Sequence, residues 1–229
     1  MARTPIASDS FTVASNTNLE SLAVPWAALH AMGAGFAAAR AADDVAYCPF
    51  SPGVDDLAYR WAGSGTFSSE QYCKMALGGF VTESNGNGHG VLVRASADTG
   101  ASRDYYALCV ADDAASGGSH TVRLQRVANG TTTTLYSASR TYTNGDTIEL
   151  EVTGTGATVT LRMYQNGVQF GGDQSDTDAT RITAAGKPGL VMRAGSGGMT
   201  LDDWEGGDVT ASGGSIAAIS NYYSMMRSA

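Results

Sequence analysis

The sequence predicts an all-β domain built as an antiparallel sandwich, and two observations carry that prediction. The first is alternation. Between His120 and Gly167, Val122 and Leu124 trade places with Arg123 and Gln125, and Ile148, Leu150 and Val152 with Glu149, Glu151 and Thr153, the period of a strand with one buried face. The second is punctuation. Asn129-Gly130, Asn144-Gly145 and Asn166-Gly167 close runs of this kind with residues that tolerate the positive φ of tight turns. The stretch reads as a four-run antiparallel meander with a chain reversal at each Asn-Gly.

The remaining elements are placed around it. Residues 1–8 read as a polar lead-in, and Asp9 to Val13 as a first edge strand. The Ala-rich run from Trp26 to Tyr47 is ambiguous, because alanine favours helix while Gly33 and Gly35 oppose it; strands at Phe36–Arg40 and Val45–Tyr47, around an Asp43-Asp44 turn, fit the rest of the chain better. Leu57–Trp61, Phe67–Leu77, Val91–Arg94 and Tyr105–Val110 follow as strands, the last pairing with the Val91 run. Beyond Gly167, residues 171–178 read as a Gly-rich polar loop, Gly186–Gly189 as a turn, and Leu190–Arg193 and Met199–Trp204 as closing strands. The domain is therefore expected over residues 9–205, followed over 206–229 by a Gly/Ser linker and an apolar arm.

Composition excludes several classes of function. A net charge of -8 opposes nucleic-acid binding, which draws its affinity from Lys and Arg on phosphates. No apolar run is long enough to span a membrane, and the N-terminus lacks the apolar core of a signal peptide. Cys48, Cys73 and Cys109 are odd in number and not at metal-ligand spacing, so they read as buried thiols of a chain made in a reducing cytoplasm.

The order of these pieces resembles the concanavalin A-like lectin/glucanase superfamily. The residues that carry the likeness are Asp9-x-Phe11, Trp26, Gly65-x-Phe67-x-x-x-Gln71-Tyr72, Gly90-Val-Leu-Val-Arg94, Tyr105-Tyr106, Val122-x-Leu124-x-Arg126, Gly145-Asp-x-Ile-x-Leu150, Asn166-Gly167, Gly189-Leu190 and Asp202-Asp203-Trp204. The resemblance implies a jelly-roll sandwich that binds glycans, hydrolyses them or builds virions. Small standalone members with docking tails are similar to phage virion proteins, which implies a non-enzymatic capsid decoration or cement protein. Its partner would be the major capsid protein, in a homo-oligomer or symmetric assembly on the virion, synthesised in the host cytoplasm. A carbohydrate-binding or host-adhesion module is the alternative, and a divergent glycoside hydrolase a third.

Superfamily glucanases carry Glu-x-Asp-x-x-Glu on one strand, whereas this chain has Glu149-Leu-Glu151-Val-Thr-Gly154, so the signature fails and the acids read as an exposed strand face. Asp173, Asp176 and Asp178 are candidate Ca²⁺ ligands, since that ion takes about six to eight oxygens, although plain solvation of a polar loop explains them as well. Trp26 and Trp61 are candidate sugar-stacking residues, with burial in the core as the simpler reading. His30, His89 and His120 stand singly, without a nucleophile elbow, so no hydrolase triad is supported. Ile216, Ile219, Tyr222, Tyr223, Met225 and Met226 concentrate apolar side chains after a glycine-rich joint, as an assembly arm would.

Overall fold

The computed structural model describes residues 1–12, 17–22, 26–29, 40–42, 45–47, 56–80, 88–193 and 199–210. In chain order the strands are β1 (Ala2–Asp9), β2 (Thr17–Asn18), β3 (Trp26–Ala28), β4 (Arg40–Ala42), β5 (Val45–Tyr47), β6 (Asp56–Trp61), β7 (Gln71–Gly78) and β8 (Gly88–Ala95). They continue as β9 (Tyr105–Ala111), β10 (Ser119–Ala128), β11 (Thr131–Thr141), β12 (Thr147–Thr153), β13 (Val159–Gln165), β14 (Val168–Asp176), β15 (Lys187–Arg193) and β16 (Thr200–Thr210). Two antiparallel sheets form the sandwich. The larger runs β14-β13-β12-β7-β16-β5-β4-β2, with β1 added on β16; the smaller runs β11-β10-β9-β8-β15-β6-β3.

The predicted fold class holds, and so does the pairing of β8 with β9. The meander does not hold throughout. Asn129-Gly130 and Asn166-Gly167 close true hairpins, β10-β11 and β13-β14, whereas Asn144-Gly145 carries the chain from the small sheet to the large one. Turn chemistry is local and looks the same in both cases; which strand the next run joins is decided by where Ile148, Leu150 and Val152 find their core.

The inner faces meet over one core. Cys73, Met75 and Leu77 of β7 and Leu150 of β12 oppose Val93, Leu108 and Leu124 from the other sheet. The outer face of the small sheet is apolar as well: Ala58, Leu92, Ala107, Val127 and Val191 form a second buried cluster. Both faces of β8 and β9 are therefore buried, which is why these strands read as continuous apolar runs rather than as alternation.

Both ends of the expected domain move. The lead-in 1–8 is strand β1, paired with β16 from Ala2↔Thr210 to Asp9↔Trp204. The last strand continues through Gly206 and Gly207, expected to open a linker, because β1 lies so close that no side chain fits. A Cβ on Gly207 would stand 2.2 Å from the Thr4 carbonyl oxygen and 2.8 Å from the Tyr72 ring. Gly207→Ala is expected to cost about 1–3 kcal/mol in urea denaturation, the usual range for overpacking. Gly156→Ala, where a Cβ meets nothing within 4 Å, is the control and should be near neutral.

The expected loop 171–178 is mostly strand, for β14 reaches Asp176 as the edge of the large sheet. The expected turn at Gly186–Gly189 shortens likewise, since β15 begins at Lys187. Of the Ala-rich region, β4 and β5 do pair as strands; residues 36–39 lie outside the described residues. Cys73 and Cys109 are buried free thiols, while Cys48, His30 and the arm residues Ile216 to Met226 also lie outside the described residues.

Candidate functional site

The outer face of the large sheet carries the chain's polar chemistry, and a bulge in β16 sets it out. Leu201 faces the core, so strict alternation would turn residue 203 inward and Trp204 outward. Instead the pairing with β7 slips between Asp202 and Glu205, and Asp203 takes a φ of 48°. The slip reverses the phase, as bulges do. Trp204 is thrown into the core, and Asp203 and Glu205 onto the outer face.

There they line an open cleft of about 740 Å³. Ser8, Asp9, Ser10 and Thr12 wall one side, Lys74 and Ala76 of β7 form the floor, and Gly145 and Thr147 close the other side. Asp9 is occupied with structure, accepting the Phe11 amide and the Trp26 indole N–H, each at 2.8 Å. Lys74 is the cross-strand partner of both Glu149 and Glu205, and its Nζ lies 3.3 Å from Glu205 Oε1. Tyr72 donates to the same oxygen at 2.7 Å; burial, then that hydrogen bond, pushes its phenol well above the usual tyrosine value. The cleft thus offers hydroxyls from Ser8, Ser10, Thr12 and Thr147, an ammonium, and the Asp203 carboxylate. Such a set can donate to and accept from the adjacent hydroxyls of a polyol.

Beside the cleft, the Glu149–Glu151 pair is not the exposed face that its alternation implies. Glu149 is 5% exposed and Glu151 1%. Arg3, at the start of β1, lies over them. Its guanidinium pairs with Glu149, reaches Glu151 at 3.3 Å and stacks 4.8 Å above the Tyr164 ring, while Tyr164 donates to Glu151 at 2.6 Å. Burial raises the Glu149 carboxyl above its usual value, with Arg3 pulling the other way. Two acids bound to one guanidinium do not flank a glycosidic bond.

The sandwich has the fold of several solved carbohydrate-binding domains, at low sequence identity. At 0.52 TM-score the chain is similar to the exoplasmic/lumenal domain of VIP36 in its Ca²⁺/Man3GlcNAc-bound form, at 9% identity over 84% of this chain and 86% of that one. The potassium-bound carbohydrate recognition domain of Emp46p matches at 0.52, with 8% identity over 81% and 89%. The fold is concanavalin A-like. A lectin from Bauhinia forficata in complex with GalNAc agrees at 0.50, with 9% identity over 86% and 98%. At the level of sequence, no family model and no curated protein matches the chain.

Within this concanavalin A-like sandwich the predicted sugar-stacking residues are core. Trp26 and Trp61 are 3% and 7% exposed and meet Trp204 at ring-centroid distances of 4.8 and 5.2 Å, bridging the two sheets. The indole N–H groups are satisfied inside, Trp61 by the Ser64 carbonyl and Trp204 by Cys73 Sγ. Nothing of either ring is left for a sugar.

The candidate calcium ligands are not brought together either. Strand period puts Asp173 and Asp176 on opposite faces of β14. Asp173 is clamped by Arg162 at 2.9 and 3.0 Å and held below the usual carboxylate range by it. Asp176 is buried against Arg126 and Tyr106, and Asp178 caps Thr180. Among the described residues no group of three or more His, Cys, Asp or Glu side chains is placed to hold a metal ion. These aspartates therefore do not fit the ion.

His89 is equally structural. Its ring lies 3.1 Å from the Met199 carbonyl, and burial takes its pKa down to about 4.

Nothing in the sequence context of Lys74 or Glu205 singles them out, and Asp203 enters only within the Asp202-Asp203-Trp204 run that carries the resemblance. A signal existed for Asp203. Leu201-Asp-Asp-Trp204 sets two polar residues between two core residues, the spacing a bulge produces.

Proposed function

We propose that the chain is a non-enzymatic carbohydrate-binding or host-adhesion module whose ligand is a neutral glycan seated in the cleft of the large sheet. The observation that carries this reading is the bulge at Asp203, which displays a carboxylate in the same open, hydroxyl-lined cleft as the Lys74 ammonium. Pairing a charged acceptor with a charged donor is a way to fix the orientation of a sugar's hydroxyls in water. The fold neighbours support the choice of ligand class: they are a carbohydrate recognition domain and structures bound to Man3GlcNAc and to GalNAc. The sealed acid pair favours binding over hydrolysis.

The cement-protein reading rests on an arm from Gly206 onward. Residues 206–210 belong to β16, and residues 211–229 lie outside the described residues.

A glycan array probed with the full chain, with Ca²⁺ and with chelator, tests the proposal. At least one neutral glycan family is expected to bind, and Asp203→Asn, which tolerates the same left-handed backbone, and Lys74→Ala are each expected to weaken it about tenfold, the worth of one charge-assisted hydrogen bond, with thermal stability nearly unchanged. Absence of any binding, or binding indifferent to both substitutions, would overturn it.

A further inference from the structure

A second pocket, of about 320 Å³, lies where β6 ends and β15 begins, on the outer face of the small sheet and on the far side of the sandwich from the cleft. Its chemistry is the reverse of the first. Arg60 and Lys187 supply its charge, Thr66 and Ser96 its hydroxyls, and none of its lining residues is acidic.

Sheet register brings the two cations together. Arg60 pairs with Gly189, and Lys187 stands two residues along β15 on the same face, which makes it the diagonal neighbour of Arg60. In a chain with 14 Lys and Arg against 22 Asp and Glu, two cations meeting without a carboxylate is the opposite of what composition favours. Each retains donors. Lys187 gives one proton to the Gly63 carbonyl at 2.9 Å, which leaves two. Among the described residues no hydrogen bond or ion pair reaches the Arg60 guanidinium. Ser96 Oγ accepts the Asp104 amide at 3.2 Å, so its own proton is free to donate. Burial, and then the positive charge of Arg60, hold the Lys187 ammonium below the usual lysine value, a cost that a bound anion would offset.

We infer that this pocket binds a compact oxyanion, a sulfate ester or a carboxylate, between the fork of Arg60 and the ammonium of Lys187, with Ser96 and Thr66 as further donors. A guanidinium matches the paired oxygens of such a group, and the pocket is at the small end of ligand sites. The anion is either free or carried by a sugar. The inference stands apart from the neutral-glycan cleft, which lies on the opposite face.

Titration of the ¹⁵N-labelled full chain with sodium sulfate, glucose 6-sulfate, glucuronate and glucose, at constant ionic strength, tests it. The three anions are expected to shift the amides of Thr66, Ser96 and Gly186 saturably, and glucose is not. Arg60→Gln and Lys187→Gln are each expected to weaken the response about tenfold with thermal stability kept, since both side chains are only half-buried. A sugar ester binding more tightly than free sulfate assigns the pocket to acidic glycans, and equal affinity assigns it to the anion alone. Shifts scattered over the surface, or the same titration in both variants, would overturn the site. Asp203→Asn should leave sulfate binding intact and Arg60→Gln should leave neutral-glycan binding intact, so the two readings fail separately.

Discussion

Asp176→Ala is expected to destabilise the protein by about 3–5 kcal/mol, the cost of leaving one member of a buried ion pair uncompensated. The carboxylate ends β14, at the edge of the large sheet, yet its partners belong to the small one. Arg126 of β10 donates at 2.8 and 3.0 Å, and Tyr106 of β9 at 2.7 Å, with side chains only 2% exposed for Asp176 and 7% for Arg126. Tyr106 in turn accepts the Ile182 amide at 2.9 Å, so the loop after β14 is tied to the same point. With Asp176 removed, Arg126 keeps only Asp178, 3.5 Å away and half exposed, in an interior where a lone charge is poorly solvated. Against a typical total stability of about 5–15 kcal/mol the loss is a large share, and urea denaturation reads it directly. The double variant Arg126→Leu/Asp176→Leu should cost far less than the sum of the single changes, because it removes both charges together. A cost below about 1 kcal/mol for Asp176→Ala would mean that the pair does not tie the sheets.

That tie shows what the sequence discloses and what it hides. Alternation in β10, β12 and β13 and the glycine turns identify strands, because both are local consequences of backbone geometry. Arg126, however, continues the inward series Val122, Leu124 at a position where alternation expects an apolar residue, and its partner lies 50 residues away. The same non-locality reverses the reading of Glu149 and Glu151. Their pattern is that of an exposed face, and Arg3, more than half the chain away, covers them together with Tyr164. Residues 171–178 read as a loop because Gly171, Gly172 and a run of polar residues lack a strand pattern of their own, and β13 imposes the extension as far as Asp176 by pairing. In the site, Trp26 and Trp61 follow the simpler reading, burial in the core, and the sugar-stacking alternative falls because three indoles are each other's best partners. The cleft and the cationic pocket both depend on register, Asp203 through a bulge and Arg60 with Lys187 through a diagonal, and register is not written in any one strand.

Arg3→Ala is the second large effect, and its sign with pH distinguishes it from a simple packing loss. Arg3 is the compensating charge for two acids of which less than a tenth is exposed, and its own side chain is about a third exposed. Water reaching the vacated position would screen part of the loss, so the expected cost is on the order of 2 kcal/mol at neutral pH rather than the full buried-pair value. The Glu149 carboxyl is already raised above its usual value, by burial first, with Arg3 holding it down. A carboxyl raised in the folded state favours folding below its unfolded pKa, and that contribution is lost as pH rises through the folded value. Without Arg3 the folded value climbs further, so the window widens toward neutrality. The deficit of Arg3→Ala relative to the parent should therefore be largest near pH 7.5 and shrink on going to pH 4.5, as protonation removes the uncompensated charge. Glu149→Gln in the Arg3→Ala background should restore much of the stability at pH 7.5 and flatten the pH dependence. Urea denaturation of the parent and the two variants at both pH values decides it. A deficit independent of pH would mean that Arg3 acts by covering Tyr164 and the strand face, and not by neutralising the acids beneath it.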